Sequence, residues 1–264
     1  MARTPGRLRR RTIFRTPYCL AGGIAIQALS TQEIHIAAHL KEVAGIKDDT
    51  LAVFDASPAS RLLLSKQISH LHTKQGLPIL NDFAGEKILS AIQEARNAGD
   101  SVGGLVECVA TGIPAGMGSP LFEGLESTIA HAIFSIPAVK GIEFGLGFEA
   151  ARTRGSKNND PYVVQDGEVQ PATNNAGGIL GGISTGAPLF FTCAFKPISS
   201  ISLPQRSVDL SSNTQTTLEV YGRHDTCAAL RAVPVVEAVC ALALLDAELS
   251  WPQESKRNPY EVGL

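Results

Sequence analysis

The sequence lacks a charge excess of either sign. Its 23 Lys and Arg stand against 25 Asp and Glu, a formal net charge of −2, which gives no electrostatic case for nucleic acid or an acidic membrane surface. It also lacks any run of about 18 uncharged apolar residues, the length that a membrane-crossing helix requires. The longest candidate, Val233 to Leu245, is interrupted by Glu237 and reads as a buried helix. The five cysteines, at 19, 108, 193, 227 and 240, form no C-x-x-C pair, so zinc and thiol-redox motifs are unsupported. Four of them stand among apolar neighbours, where a free thiol serves as a small core residue. That usage suits a reducing, cytoplasmic setting. No internal repeat, P-loop or dinucleotide fingerprint is present.

What the sequence does have is apolar material. Hydrophobic residues make up 44% of 264 positions, enough for the core of one large domain. The exception to the balanced charge is Arg7 to Arg15, with five arginines and no acid. It reads as a non-native or disordered leader, with a targeting arm or phosphate-binding segment as alternatives.

Periodicity predicts mixed elements. Pro17 to Leu29 is expected to be helical and Glu33 to Leu40 a strand, while Lys47 to Pro78 carries no clear pattern. Asp82 is expected to cap a helix over 84–98, with Ile88, Leu89, Ile92 and Ala95 on one stripe and Gly99 ending it. Ser101 to Gly112 reads as a strand. Ser119 and Pro120 suit a helix start, with Leu121, Leu125 and Ile129 on the core face. A strand is expected over Gly141 to Arg152, and a long loop over Thr153 to Asn175. Strands follow at Ala187 to Lys196 and Thr217 to Tyr221. Ala228 to Leu249 reads as a buried helix that Pro234 can kink. The sum is an α+β or layered α/β arrangement.

Three stretches carry candidate chemistry. Asn175 to Gly186 places five glycines in ten residues, backbone that either approaches a ligand phosphate or simply makes tight turns. Lys196-Pro197-Ile198-Ser199-Ser200 ends an apolar strand with a cation and two hydroxyls, a set suited to a phosphate or a polar ring edge. Gly222-Arg223-His224-Asp225 puts a cation, an imidazole and a carboxylate before the buried helix, where Asp225 is either a base or ion-pair partner, or only a cap. Ser69-His70-Leu71-His72 contains two histidines that do not share a helical face; it reads as surface, and no metal site is assigned.

Taken in order, these blocks resemble chorismate synthase. Gly99 to Gly104 (GDSVGG), Gly112 to Phe122 (GIPAGMGSPLF), Ser135 to Gly141 (SIPAVKG), Asn175 to Gly186, Lys196 to Ile201 and Gly222 to Cys227 match that family's motifs, between about Gly99 and Asp246. A weaker match reaches back to about Leu20. The resemblance implies an α+β layered sandwich, with helices between antiparallel sheets, and typically a homotetramer. It implies conversion of 5-enolpyruvylshikimate 3-phosphate to chorismate and phosphate in the shikimate pathway, with reduced FMN as cofactor. It implies that Pro137 and Ala138 lie on the flavin and that Gly181 lets backbone approach it. Lys196, Pro197, Ile198, Ser199 and Ser200 are implied at its polar edge and phosphate, and Arg223 as a further contact. Asp225 is similar to the family's carboxylate near flavin N5.

The pattern departs from the family in places. Ile198 stands where Thr is usual and Thr226 where Pro is usual. The family's G-x-S-H-G and G-H-x-D-like blocks, which bear two proton-donating histidines, are not found, nor is its G-G-G-R-S block. The expectation is therefore an N-terminally truncated member, with residues 1–18 as a basic leader and 19–264 as one partial domain. It is either an active lyase or an inactive remnant that at most binds flavin or a full-length subunit. The resemblance leaves open whether NADPH-dependent flavin reduction belongs to the chain or to a separate reductase.

Overall fold

Strand pattern and register build the centre of the molecule. The computed structural model describes residues 6–251 except Phe54, Ala56, Asp166 and Arg223, with side chains from residue 16 onward apart from Gln165 and Glu168. Helix α1 (Gly6–Ser30) leads to β1 (His35–Val43) and a short return strand, β2 (Ile46–Lys47). Helices α2 (Pro58–Thr73) and α3 (Asp82–Asn97) precede β3 (Gly104–Thr111). A 3-10 turn (Leu121–Glu123), α4 (Leu125–Phe134), β4 (Val139–Phe144) and a second 3-10 turn (Gly147–Arg152) follow. Next come the four-residue α5 (Gly155–Asn158) and the hairpins β5 (Tyr162–Gln165) with β6 (Glu168–Pro171) and β7 (Ile179–Leu180) with β8 (Ile183–Ser184). Strand β9 (Leu189–Phe195), a hairpin of β10 (Gln205–Asp209) with β11 (Thr214–Leu218), and α6 (Ala229–Ser250) complete the chain.

Five strands form one antiparallel sheet in the order β2-β1-β3-β9-β4. Alternation along each strand sends Ile36, Ala38 and Leu40, Val106, Cys108 and Ala110, and Leu189, Phe191 and Cys193 to one face. These pack with α1, α4 and α6 into the main core. Ala37, Val109 and Phe190 point the other way, into a smaller cluster closed by Leu64, Ile68 and Leu71 of α2. Because β9 is covered on both faces it reads as an almost unbroken apolar run, LFFTCAF. The fold is α+β with its named strands antiparallel throughout. Among the described residues no helix is long and apolar enough to cross a membrane.

Several elements differ from their local signals. Helix α1 starts at Gly6, so it takes in Arg7 to Arg15 and crosses the boundary expected at 18/19. Pro17 removes one backbone hydrogen bond from it, and packing against α6 offsets that loss. The approach is close: a Cβ on Gly22 would sit 2.3 Å from the Ala238 Cβ. Asn81 rather than Asp82 caps α3, accepting from the Phe83 and Ala84 amides, and Leu89 is exposed. Ser119 caps no helix. Leu121 is 82% exposed and α4 starts only at Leu125, whose amide donates to the Gly182 carbonyl. Past Phe144 the expected strand breaks at Gly145, whose φ is +57°. The loop expected over 153–175 contains α5 and the β5–β6 hairpin, joined by an Asp-Gly pair of the kind that favours tight hairpin turns.

The outer edge of β1 is closed by side chains and a loop. The imidazole Nε2 of His72 lies 2.8 Å from the Ile36 carbonyl, the Ala38 amide donates to Glu237 Oε1 at 2.7 Å, and the Leu40 amide donates to the Pro78 carbonyl at 2.8 Å. An open edge would otherwise be a template for foreign strands. His72 is exposed, as expected of a surface residue, and also serves as a structural tether.

On the face of the sheet away from the main helices, register produces a row of polar side chains. His39 opposes Glu107 across β1 and β3, and Glu107 opposes Thr192 across β3 and β9. All three are buried. His39 Nδ1 meets Asp48 Oδ2 at 3.0 Å and its Nε2 meets Glu107 Oε2 at 3.1 Å. Lys41 Nζ donates to Glu107 Oε1 at 2.7 Å and to Thr192 Oγ1 at 3.1 Å. The Leu80 and Asn81 amides donate to Asp48. Burial disfavours charge on His39, but hydrogen bonds and charge from Asp48 and Glu107 outweigh it and raise its pKa. Burial works in the opposite sense on Asp48 and Glu107, yet their hydrogen bonds, with His39 first, leave both below the usual carboxylate range.

The linkage has a definite sign. A raised folded pKa on His39 gives stability that is complete below its ordinary value of 6.5 and is lost as pH rises through the folded value. Thermal melts from about pH 6 to about pH 9 should therefore show falling stability, and the fall should be shallower in His39→Gln. Parallel slopes in the two proteins would remove His39 as its source.

Candidate functional site

The end of β9 gathers most of the candidate residues. The Lys196 amide donates to the Ala138 carbonyl at 3.0 Å, just past the Val139–Phe195 pairing of β4 with β9. Pro137 and Ala138 are half-buried there, and Ala138 holds a φ of +78°. For a non-glycine residue that conformation costs on the order of 1–2 kcal/mol, and such strain concentrates at ligand sites. Lys196, Pro197 and Ser199 are exposed, while Ile198 and Ser200 are half-buried. No carboxylate among the described residues pairs with Lys196.

The stretch 99–103 lies against this loop. Ser101 Oγ donates to the Ile198 carbonyl at 2.7 Å, and the Ser202 amide donates to the Gly99 carbonyl at 2.9 Å. A Cβ on Gly103 would stand 2.6 Å from the Phe195 carbonyl oxygen and 3.1 Å from Pro197 Cδ, which explains glycine at that position. The same stretch reaches the acid turn, because the Val102 amide donates to the Thr226 carbonyl at 2.9 Å beside a Val102–Cys227 bridge. Only the carbonyl of Thr226 is used in that contact, so the family's usual proline there would keep it. Asp225 is 33% exposed and faces Arg231 of α6, with Oδ1 at 2.9 Å from Nη1. His224 Nε2 meets the Val220 carbonyl at 3.0 Å. Arg223 lies outside the described residues.

Gly181 is not brought to this cluster. It forms, with Gly182, the two-residue turn of the β7–β8 hairpin, both at positive φ. That hairpin is bound to the 114–118 segment: Ser184 Oγ donates to the Pro114 carbonyl, and the Met117 amide donates to Ser184 Oγ. Gly182 caps the start of α4, whereas Pro137 and Ala138 follow its end. The α4 helix between these two contacts is ten residues, about 15 Å, long. The glycine-rich segment is held at its start by Asp160, which accepts from the Asn175 and Ala176 amides. Sequence reasoning missed Asp160 and Ser101; an Asp inside a loop and a Ser inside a motif carry no local sign of their distant partners.

The four cysteines expected to be core, Cys108, Cys193, Cys227 and Cys240, are buried and free, and Cys19 is exposed. Burial pushes the Cys108, Cys193 and Cys227 thiols up. Among the described residues, no group of three His, Cys, Asp or Glu side chains is placed to hold a metal ion.

Comparison with known proteins identifies the family and the fold. The family model "Chorismate synthase" matches residues 4–249. Chorismate synthase of Lancefieldella parvula is 53% identical over 246 residues, covering 92% of this chain and 64% of that protein. The Archaeoglobus fulgidus enzyme is 44% identical over 232 residues, covering 87% of this chain and 60% of that protein. A chorismate synthase crystal structure superposes with a TM-score of 0.69 at 30% identity, over 87% of this chain and 61% of that one. The chain thus spans about three-fifths of the length of the relatives it matches.

Proposed function

We propose, from the premise that the chain belongs to the chorismate synthase family, that it acts in forming chorismate and phosphate from 5-enolpyruvylshikimate 3-phosphate with reduced FMN. The observation that carries this reading is the junction at residues 99–103, which ties the Lys196–Ser200 loop to the Asp225 turn, while the Lys196 amide in turn holds the Ala138 carbonyl. The donor set fits a flavin: an exposed cation with no carboxylate partner among the described residues, two serines and a strained small residue supply charge and hydrogen-bonding groups. Pro137, Ala138 and the residues from Lys196 to Ser200 would hold it. When bound, reduced FMN supplies electron density that assists loss of phosphate in a reaction without net redox change.

The chain's own groups have separable tasks. Lys196 places a positive charge where an anion can be received without first breaking an ion pair. The Ala138 carbonyl is already taken by the Lys196 amide, so the turn keeps its shape without ligand. Asp225 is oriented by Arg231 and is the carboxylate assigned to hold a proton on its oxygens during turnover.

Two measurements test the reading. Purified chain, chemically reduced FMN and 5-enolpyruvylshikimate 3-phosphate should give chorismate absorbance under anaerobic conditions. Flavin bound without chorismate would instead fit a chain that binds cofactor and does not turn over. Lys196→Ala should weaken FMN binding, followed by flavin fluorescence, by roughly 10- to 100-fold, the usual worth of a charge-assisted hydrogen bond. An unchanged Kd would sink the assignment of the loop.

A further inference from the structure

We infer that Ser101 is a positioning residue for the Lys196–Ser200 loop, an inference that rests on the flavin-site reading above. Strand β9 ends at Phe195, and the backbone ties of the following segment are the Lys196 amide to Ala138 at one end and the Ser202 and Leu203 amides to Gly99 at the other. Pro197 has no amide hydrogen to contribute. Between those ends, the half-buried Ser101 hydroxyl donates to the Ile198 carbonyl at 2.7 Å across 97 residues of sequence. Ile198 lies midway between Lys196 and Ser200, so a hydrogen bond at its carbonyl sets the direction of the side chains on both sides. The half-buried Gln205 side chain reaches the carbonyl of the exposed Ser199 at 3.3 Å, a longer contact.

The neighbours of Ser101 make the arrangement directional. Its amide is held by Asp100 Oδ1 at 2.7 Å. The next residue, Val102, spends its amide on Thr226 at 2.9 Å, one position after Asp225. Gly103 then allows contact with Phe195 and Pro197. Ser101 therefore couples the spacing of the cation loop to that of the acid turn, with its hydroxyl proton committed to Ile198.

The test compares wild type, Ser101→Ala and Ser101→Thr by hydrogen exchange without flavin, by FMN titration and by melting. Ser101→Ala should speed exchange of the Lys196, Ser202 and Leu203 amides by about 2- to 10-fold, the usual worth of one such bond. It should raise the FMN Kd by a similar factor, with exchange in β3 and α3 unchanged. Ser101→Thr, which keeps the hydroxyl, should restore both readouts. Unchanged exchange in 196–203, faster exchange spread equally over β3 and α3, or faster exchange with an unaltered Kd would each overturn the proposal. If wild type binds no FMN, the flavin reading fails, and the exchange comparison still decides whether Ser101 holds the loop.

Discussion

Replacing His39 with leucine is expected to lower folding stability by about 3–5 kcal/mol, the usual result of removing one member of a buried ionic group. In a chain of this length that is on the order of a 10 °C fall in Tm. The cost comes from what is left behind. Asp48 keeps the Leu80 and Asn81 amides and Glu107 keeps Lys41, but each loses the imidazolium that faced it. Leucine restores volume and not charge, so the two buried carboxylates become under-compensated. Glu107→Gln should cost less, because the amide can still accept from Lys41 and meet His39. In a double-mutant cycle the two changes should be strongly non-additive. Urea or thermal unfolding reads the effect, and a His39→Leu protein within 1 kcal/mol of wild type would show that the row is not an energetic unit.

On the function proposed above, Asp225→Ala is expected to reduce chorismate formation by roughly 10²- to 10⁴-fold, the range for loss of a positioned proton-handling group, while FMN binding changes far less. Arg231→Ala separates orientation from chemistry. Arg231 is 62% exposed, and an ion pair so open to water is worth at most about 1 kcal/mol. Its loss should therefore slow the reaction by no more than about fivefold. Steady-state rates under anaerobic conditions, with FMN affinity measured alongside, distinguish the cases. Equal losses in the two variants, or an Asp225→Ala enzyme within tenfold of wild type, would remove Asp225 from the chemistry.

Local pattern carried much of the fold and less of the site. The 3.6 period marked α3, a long apolar run marked α6, and alternation or apolar runs marked β1, β3 and β9, because each buries a continuous stripe or face. Helix starts were less legible. Ser-Pro occurs at 57–58 and at 119–120, and only the first begins a helix: Ser57 accepts from the Ser60 amide ahead of α2. At the second, Gly124 sits so close to Gly182 that the start of α4 is capped by a main-chain carbonyl instead. The hairpin inside 153–175 was hidden by polar composition, although Asp166-Gly167 is a hairpin signal. In the site, backbone ties join 138 to 196 and 102 to 226, and the Ser101 hydroxyl reaches 198, whereas Gly181 turns the β7–β8 hairpin beside the start of α4.

The sequence by itself determined the family through motif order, and through that resemblance the antiparallel α+β class, which the elements alone left open against layered α/β; it also determined the burial of four cysteines, because hydrophobicity is a local property. Tertiary structure alone decided which distant groups meet. His39 in β1 and Glu107 in β3 are ordinary polar residues in apolar strands until register sets them opposite each other. Ser101 is a motif serine until the chain returns at Ile198, and the exposed His72 gains its partner only when α2 lays it along the edge of β1. Contacts across 36, 68 and 97 residues depend on strand pairing and on helices closing over the sheet, and no local pattern encodes that geometry.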